Sequence, residues 1–391
     1  MRRFTMNLHK MFSMAAILVL IGGCHASSTH LDGQADGLED GPTEPAPDVH
    51  TDAPADPVTD PTPPPPSGYD LHEWGVMVMG PGGAVLHGSG PEFAGPIPAK
   101  PVIYLYADEP FDLDVAVHFS SGAPTETWPE APLTPSLLWS GLEVSPGPCS
   151  ATPFPSPYDG PGEGFCEACT LSLVVVEDAA CVTYGGQVAK LLFYTGSLPD
   201  YEPPLAVDAY TYTGVDGSEQ VAFNVENRSS ETIDGVWLVH RQTTDSCIDP
   251  SACPVVTADI AWSYLDAVDP DENLSLSLPL EHYEAEVDEY GFPVPGTLVL
   301  PPEWNDLGED VLAALEARGL TASEAQAFMN AWDQAFFGLM GSDAVYLEPL
   351  YHPGSQAIYF MTRADYDAHM PLETSAPADE VVRVGMVYET L

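Results

Sequence analysis

From residue 70 onward, apolar and polar positions alternate with a period of two over much of the chain. In "DLDVAVHF" (112–119), Leu113, Val115, Val117 and Phe119 share one face while Asp112, Asp114, Ala116 and His118 share the other, as in a half-buried strand. "PVIYLYA" (101–107) is instead a continuous apolar run, the pattern of a strand covered on both faces. "HEWGVMVM", "LSLVVVE", "VAKLLFYTG", "QVAFNVEN", "GVWLVHRQ" and "LSLSLPL" add further β-rich runs. Turn residues separate them every ten or so positions, with no helical pattern between. This spacing predicts a mainly β fold built from antiparallel, sandwich-like sheets.

The period changes near residue 303. Asp306-x-x-Glu309 and Thr321-x-x-Glu324 each read as a capping box, in which two side chains satisfy backbone N–H groups at a helix start. The first opens "LGEDVLAALEAR", stopped by Gly319; the second opens "ASEAQAFMNAWDQAFFG", stopped by Gly338. Ala325, Phe328, Met329, Trp332 and Phe336 form one apolar stripe at helical spacing. A short connection makes an antiparallel helical hairpin over about 306–338. Strand patterns return in "DAVYLEPL", "AIYFMT" and "EVVRVGMVYE" with no linker between, so the hairpin reads as an insertion that packs on the sheets.

The first 23 residues obey different rules. Arg2, Arg3 and Lys10 precede an apolar run that ends in Gly22-Gly23, the layout of a secretory signal. The run is shorter than the roughly 20 residues a membrane-spanning helix needs. "LIGGC" resembles the lipobox of bacterial lipoproteins, which implies that Cys24 is acylated and held in a bilayer by its lipid chains. Residue 26 is Ala rather than Asp, which in that resemblance favours the outer membrane, on its periplasmic or surface face. Residues 24–68 are dense in Pro and Asp, with Leu31, Leu38, Val49 and Val58 as the only large apolar side chains. Such a segment cannot bury enough surface to offset its ordering entropy. It reads as a disordered stalk leading to a β-rich region over 69–391.

Charge narrows the partners. Ten Lys and Arg face 59 Asp and Glu, and with three of the ten in the signal the mature chain carries a net charge near −52. A surface so acidic repels nucleic acid. It suits cationic partners, divalent metals or a salty milieu. Six cysteines remain beside Cys24, and an exported chain with an even set implies disulfides. Cys247 and Cys253 close a short loop around Pro250 and form the expected pair. Cys149, Cys166, Cys169 and Cys181 then supply two more bridges of undetermined connectivity. "CEAC" (166–169) has CxxC spacing but no second ligand pair within metal-site distance.

Three groups of residues bear on chemistry. In His72-Glu73-Trp74, strand alternation sends His72 and Glu73 to opposite faces, so a packed Trp74 with capping neighbours is the expectation. Read as a strand, Asp365, Asp367 and His369 fall on one face, as a divalent metal requires; a solvated face gives the same pattern. Asp266, Asp269, Asp271, Glu272 and Asn273 cluster oxygens of the type calcium prefers, without the glycine of an EF-hand loop. Arg363 and Arg383, in a chain so poor in bases, read as buried partners for carboxylates or as anchors for an anionic group. No GxSxG or P-loop motif occurs, and "GPGGAV" lacks the third glycine of a dinucleotide fingerprint.

"LHEWGV" (71–76), "KPVIYLY" (100–106), "TETWPEAP" (125–132), "LLFYTG" (191–196) and "RADYDAHMPLE…EVVRVGM" (363–386) occur in that order. Together they resemble blocks of a group of exported bacterial proteins of uncharacterised activity. That resemblance implies a shared fold and an envelope location but brings no activity. The expectation is therefore a lipid-anchored binding or structural module. Its partners would be the bilayer and an envelope polysaccharide, protein or divalent cation, with calcium the ion its acids suit. The alternative is a metal-assisted or carboxylate-based hydrolase acting on envelope polysaccharide or peptide.

Overall fold

The computed structural model describes residues 68–80, 83–85, 101–154, 168–244, 255–286, 297, 299–338 and 354–391. The signal, all of the stalk before Gly68, "DAVYLEPL" and cysteines 24, 166, 247 and 253 lie outside them.

The fold is mainly β, as the alternation predicts, and the described residues form three sheets. The long one runs in spatial order β15 (Glu281–Glu286), β13 (Val255–Val268), β12 (Ile233–Thr244), β16 (Gly354–Phe360), β18 (Glu380–Thr390) and β1 (Tyr69–Gly80). Beyond β1 it divides: β3 (Val102–Ala107) pairs with the first half of β1 and β2 (Gly83–Val85) with its end. Both then pair with β9 (Leu192–Leu198), and β9 pairs with β5 (Ala123–Trp128). A second sheet has the order β17 (Leu372–Thr374), β4 (Phe111–His118), β6 (Ser136–Ser145), β7 (Cys181–Tyr184), β8 (Gln187–Ala189). The third contains β10 (Leu205–Thr213), β11 (Glu219–Asn227) and β14 (Asn273–Pro279). Residues from all three belong to one continuous apolar core.

One pairing departs from the antiparallel expectation. β1 and β18 run parallel, with Glu73 opposite Arg383 and Trp74 opposite Val384. Neighbouring partners in a parallel ladder point to the same face, so the two strands together build two distinct faces. On one, the helical hairpin packs: α2 (Leu307–Ala317) and α3 (Ala322–Phe337) follow a single turn, α1 (Pro302–Asn305). Trp74 meets Phe328 edge-on at 5.0 Å, and Phe336 lies 5.6 Å from Tyr388. On the other face lies α4 (Arg363–His369). A Cβ on Gly385 would come within 3.2 Å of the Tyr366 ring, so glycine in the middle of β18 is what lets α4 lie against the strand.

The Thr321–Glu324 capping box forms with both of its hydrogen bonds. The Asp306 box does not: Asp306 has helical backbone angles and makes no side-chain cap. The cause lies upstream, where Pro301-Pro302 starts the helical region a turn early, since proline fixes φ in the helical range and needs no N–H partner at a helix start. "LSLVVVE" is likewise not a strand. Residues Ala168–Val174 form a 3₁₀ helix, and Leu171 and Val174 are buried at its i, i+3 spacing.

Cys149 and Cys181 are joined in a disulfide that ties the end of β6 to the start of β7. With its ends 32 positions apart in sequence, such a bridge stabilises a fold by about 4 kcal/mol through the unfolded chain. Non-reducing peptide mapping should recover a Cys149–Cys181 peptide, and Cys149→Ser should lower the unfolding free energy by roughly that amount. Free thiols at both positions would contradict the assignment.

Candidate functional site

The HEW segment and the residues around α4 converge on the β1–β18 pair from its two sides. Glu73 is fully buried. Its Oε2 accepts from Arg383 Nε, while its Oε1 accepts from the Tyr194 hydroxyl at 2.5 Å and the Tyr366 hydroxyl at 3.2 Å. Arg383 spends its remaining nitrogens on Asp367 Oδ1 and, at 2.8 Å, on the Met370 carbonyl. Its guanidinium also sits 4.5 Å over the Tyr366 ring. Burial works against the charge of Arg383, but Glu73 and the two phenolic oxygens more than offset it, and the pKa stands above the ordinary arginine value. Burial, then the charge of Glu73, holds both tyrosines far above the usual phenol pKa. They therefore remain donors at all physiological pH.

Residues 363–369 form a helix, not a strand, because Thr362 caps it through the Asp365 N–H and the sequence lacks strand alternation there. Asp365 and Asp367 consequently point in different directions. Asp367 joins Arg383 and also accepts from Arg363 Nε at 2.6 Å. Asp365 turns the other way with His369, one helical turn on, whose Nε2 lies 3.4 Å from Asp365 Oδ1. The metal face expected of a strand is therefore not formed. Arg383 fulfils the expectation of a buried carboxylate partner, whereas Arg363 is half-exposed and bonds Asp367 and the Val381 carbonyl.

On the hairpin side of β1, His72 is buried with its Nδ1 2.9 Å from Glu324 Oε2. Tyr106 donates to Glu324 Oε1 at 2.8 Å, and the Thr321 N–H reaches Oε2 at 2.7 Å. The capping-box glutamate is thus also the buried anion that fixes His72. Glu73 and His72, adjacent in sequence, belong to separate networks, as strand alternation requires. Trp74 packs within the core.

A third grouping was not foreseen. A cavity of about 590 Å³ is lined by Asp208, Asp365 and Glu389 together with Leu205, Pro204 and Arg228. Glu389 lies on the same face of β18 as Arg383. Burial, followed by the nearby charge of Asp208, pushes its carboxyl up to about 7. The Tyr201 hydroxyl donates to Asp365 Oδ2 at 3.1 Å. The parity of Arg383, Val387 and Glu389 along β18 was the available signal, since it places an acid on a covered face.

Ser120 Oγ lies 3.0 Å from His369 Nδ1, which completes a Ser–His–Asp order of contacts with Asp365. The Ser120 N–H also donates to the His369 carbonyl at 2.9 Å, so the serine fastens the C-terminal end of α4 to the loop after β4. In the turn after β13, the Asp269 N–H donates to Glu272 Oε2 at 2.9 Å, and Thr232 donates to Asp269 Oδ1. Among the described residues no three of His, Cys, Asp and Glu are grouped so as to hold a metal ion.

No protein-family model matches the chain, and no curated protein is significantly similar to it. The functional reading rests on these geometries.

Burial draws the His72 pKa down, but the hydrogen bond and charge of Glu324, with Glu380 and Asp70 beyond, carry it above the usual histidine value. A group whose folded pKa is raised contributes stability that is fully present below the unfolded value and is lost as pH rises through the folded one. The stability difference between the natural protein and His72→Gln should therefore be largest below the ordinary histidine pKa and shrink as pH rises through the raised one. Chemical denaturation across that range measures it, and a pH-independent difference would remove the ion pair from the account.

Proposed function

We propose that this chain is a lipoprotein anchored in the bacterial cell envelope through an acylated Cys24, with the β-rich region serving as a binding module. The signal-like segment, the "LIGGC" motif and the Pro/Asp-rich stalk support the anchoring. Among the described residues no helix is long and apolar enough to cross a membrane, which fits a lipid as the attachment. The stalk would project the module from the outer membrane toward envelope polysaccharide, protein or a cation.

The observation that carries the binding reading is the division of the candidate catalytic groups among three places. His72 is fixed by Glu324, Asp367 and Glu73 are held by Arg383, and Asp365 faces a separate cavity. A metal-assisted hydrolase needs such groups to converge on one reacting atom. The Ser120–His369–Asp365 contacts are the feature that favours a hydrolase, but the backbone bond between Ser120 and His369 gives those contacts a structural use.

Two measurements test this. Cys24→Ser should move the protein out of the membrane fraction and remove the acyl mass from its N-terminal peptide. Thermal melts with zinc and with a chelator should leave the natural protein unchanged, while Asp367→Ala lowers the melting temperature equally in both. A zinc-specific rise abolished by Asp367→Ala would replace the binding reading with a metal centre.

A further inference from the structure

In the run β12–β16–β18 of the long sheet, the middle strand stops before its neighbours do. Its last pairs are Tyr359 with Val236 of β12 and Phe360 with Met386 of β18. Beyond that point β12 continues back to Ile233 and β18 back to Glu380. The chain does not follow them, because Thr362 caps α4 and leads it out of the sheet. Paired strands lie about 4.8 Å apart, so the two outer strands leave a slot about 10 Å across, the width of one missing strand. A cavity of about 800 Å³ occupies that place. The starts of β12 and β18 form its walls, and Phe360 and Met361, where β16 ends, close it on one side.

The β18 wall offers main-chain groups. Alternate residues of a strand turn their N–H and C=O to opposite edges. The Met361 N–H donates to the Gly385 carbonyl at 2.9 Å, and Arg363 Nη1 donates to the Val381 carbonyl at 3.3 Å. Both bonds arrive from the β16 side, so Arg383, which has the same parity, turns its backbone N–H and C=O into the slot. Among the described residues no hydrogen bond reaches those two groups, or the Val381 N–H, from that side. Arg383 is buried, and buried backbone groups in folded proteins are almost always paired. An added strand supplies such partners through its own main chain.

Side chains select the occupant. Val382, Val384 and Phe360 give the slot apolar surface. Its three arginines are already engaged: Arg383 by Glu73 and Asp367, Arg363 by Asp367, and Arg318 by the Phe360 ring and the charge of Asp234. That leaves Glu231 on one wall and Glu380 on the other, both exposed and, among the described residues, in no ion pair. The acidity of the whole chain adds to their attraction for positive charge. We infer that the slot takes an extended peptide strand with alternating basic and apolar residues, whose main chain completes the sheet between β12 and β18. The inference rests on the binding-module reading and names the ligand as a basic extended segment of another polypeptide.

Hydrogen exchange of the full chain, read amide by amide, tests the slot. The probe is a peptide of about eight residues in which lysine and valine alternate, a strand long enough to span it. At about ten times its Kd it should slow exchange at Val381 and Arg383 about ten-fold. The same peptide with alternate residues N-methylated keeps its charge but loses donors along one edge, and should bind about ten-fold more weakly. A glutamate–valine peptide should not bind. Val381→Pro removes one slot-facing N–H at an edge position, where proline is tolerated, and should weaken binding about ten-fold. Glu231→Lys, at an exposed position, should weaken it several-fold and leave the melting temperature unchanged. No protection, equal binding of the N-methylated peptide, or unchanged affinity in Glu231→Lys would each overturn the slot. Protection of the same amides without peptide would overturn it too, assigning the place to a second copy if dilution removes the protection and to the chain's own N-terminal segment if it does not. None of these results bears on the zinc and chelator melts with Asp367→Ala, so failure of the slot is distinguishable from failure of the binding-module reading.

Discussion

Placing a carboxylate and a guanidinium side by side in the middle of a sheet removes both from water, at a desolvation cost of several kcal/mol per ion unless each finds the other with good geometry. Glu73 and Arg383 do so at one register position of the parallel β1–β18 pair. That pair joins the first and last strands of the folded region, and no hairpin turn fixes its alignment. A slip of one residue would set Glu73 opposite valine and reverse every side chain from face to face. The ion pair therefore specifies register as well as binding the strands. The position of α4 follows from it, because Arg383 also reaches Asp367 and the Met370 carbonyl, and Gly385 leaves room for Tyr366 between them.

The same economy governs the other scarce cations. Arg241 is buried and points two nitrogens at the last carbonyls of α3, Ala335 and Gly338, where a positive charge complements the helix dipole. Lys190 is buried too, and its ammonium donates to the carbonyls of Gly147, Glu177 and Ala179. Arg318 lies 3.5 Å over the Phe360 ring. With Lys190, Arg241 and Arg383 turned inward as fasteners, the β-rich region presents an excess of acid to its surroundings. Such a field draws cationic partners and raises their local concentration.

Many of the strand positions were legible because period-two alternation reports one covered face, as in β4. The opposite faces of His72 and Glu73 followed from the same rule. Long-range pairing was not legible. Nothing local to 69–80 or 380–390 says that these segments lie side by side and parallel, and the partners of Glu73 became visible only with that neighbour known. Asp365, Asp367 and His369 were misread because a two-residue spacing puts groups on one face of a strand but spreads them round a helix; the Thr362 cap decides between the two. Glu324 was recognised as a helix cap, yet its second task of holding His72 depends on where the hairpin lands. The acidic cavity gathers Asp208, Asp365 and Glu389 from three separate elements, so no sequence window contains it.

The account holds that the most enzyme-like residues of this chain are architectural, and a double-mutant cycle between Glu73→Gln and Arg383→Met tests that most directly. Each single change should cost about 3–5 kcal/mol by stranding a buried charge. The double variant should lose less than their sum, with a coupling of about 1–3 kcal/mol measured by urea denaturation. Additive losses, or a stable Arg383→Met protein, would contradict the account and return Glu73 and Arg383 to the list of residues kept for chemistry.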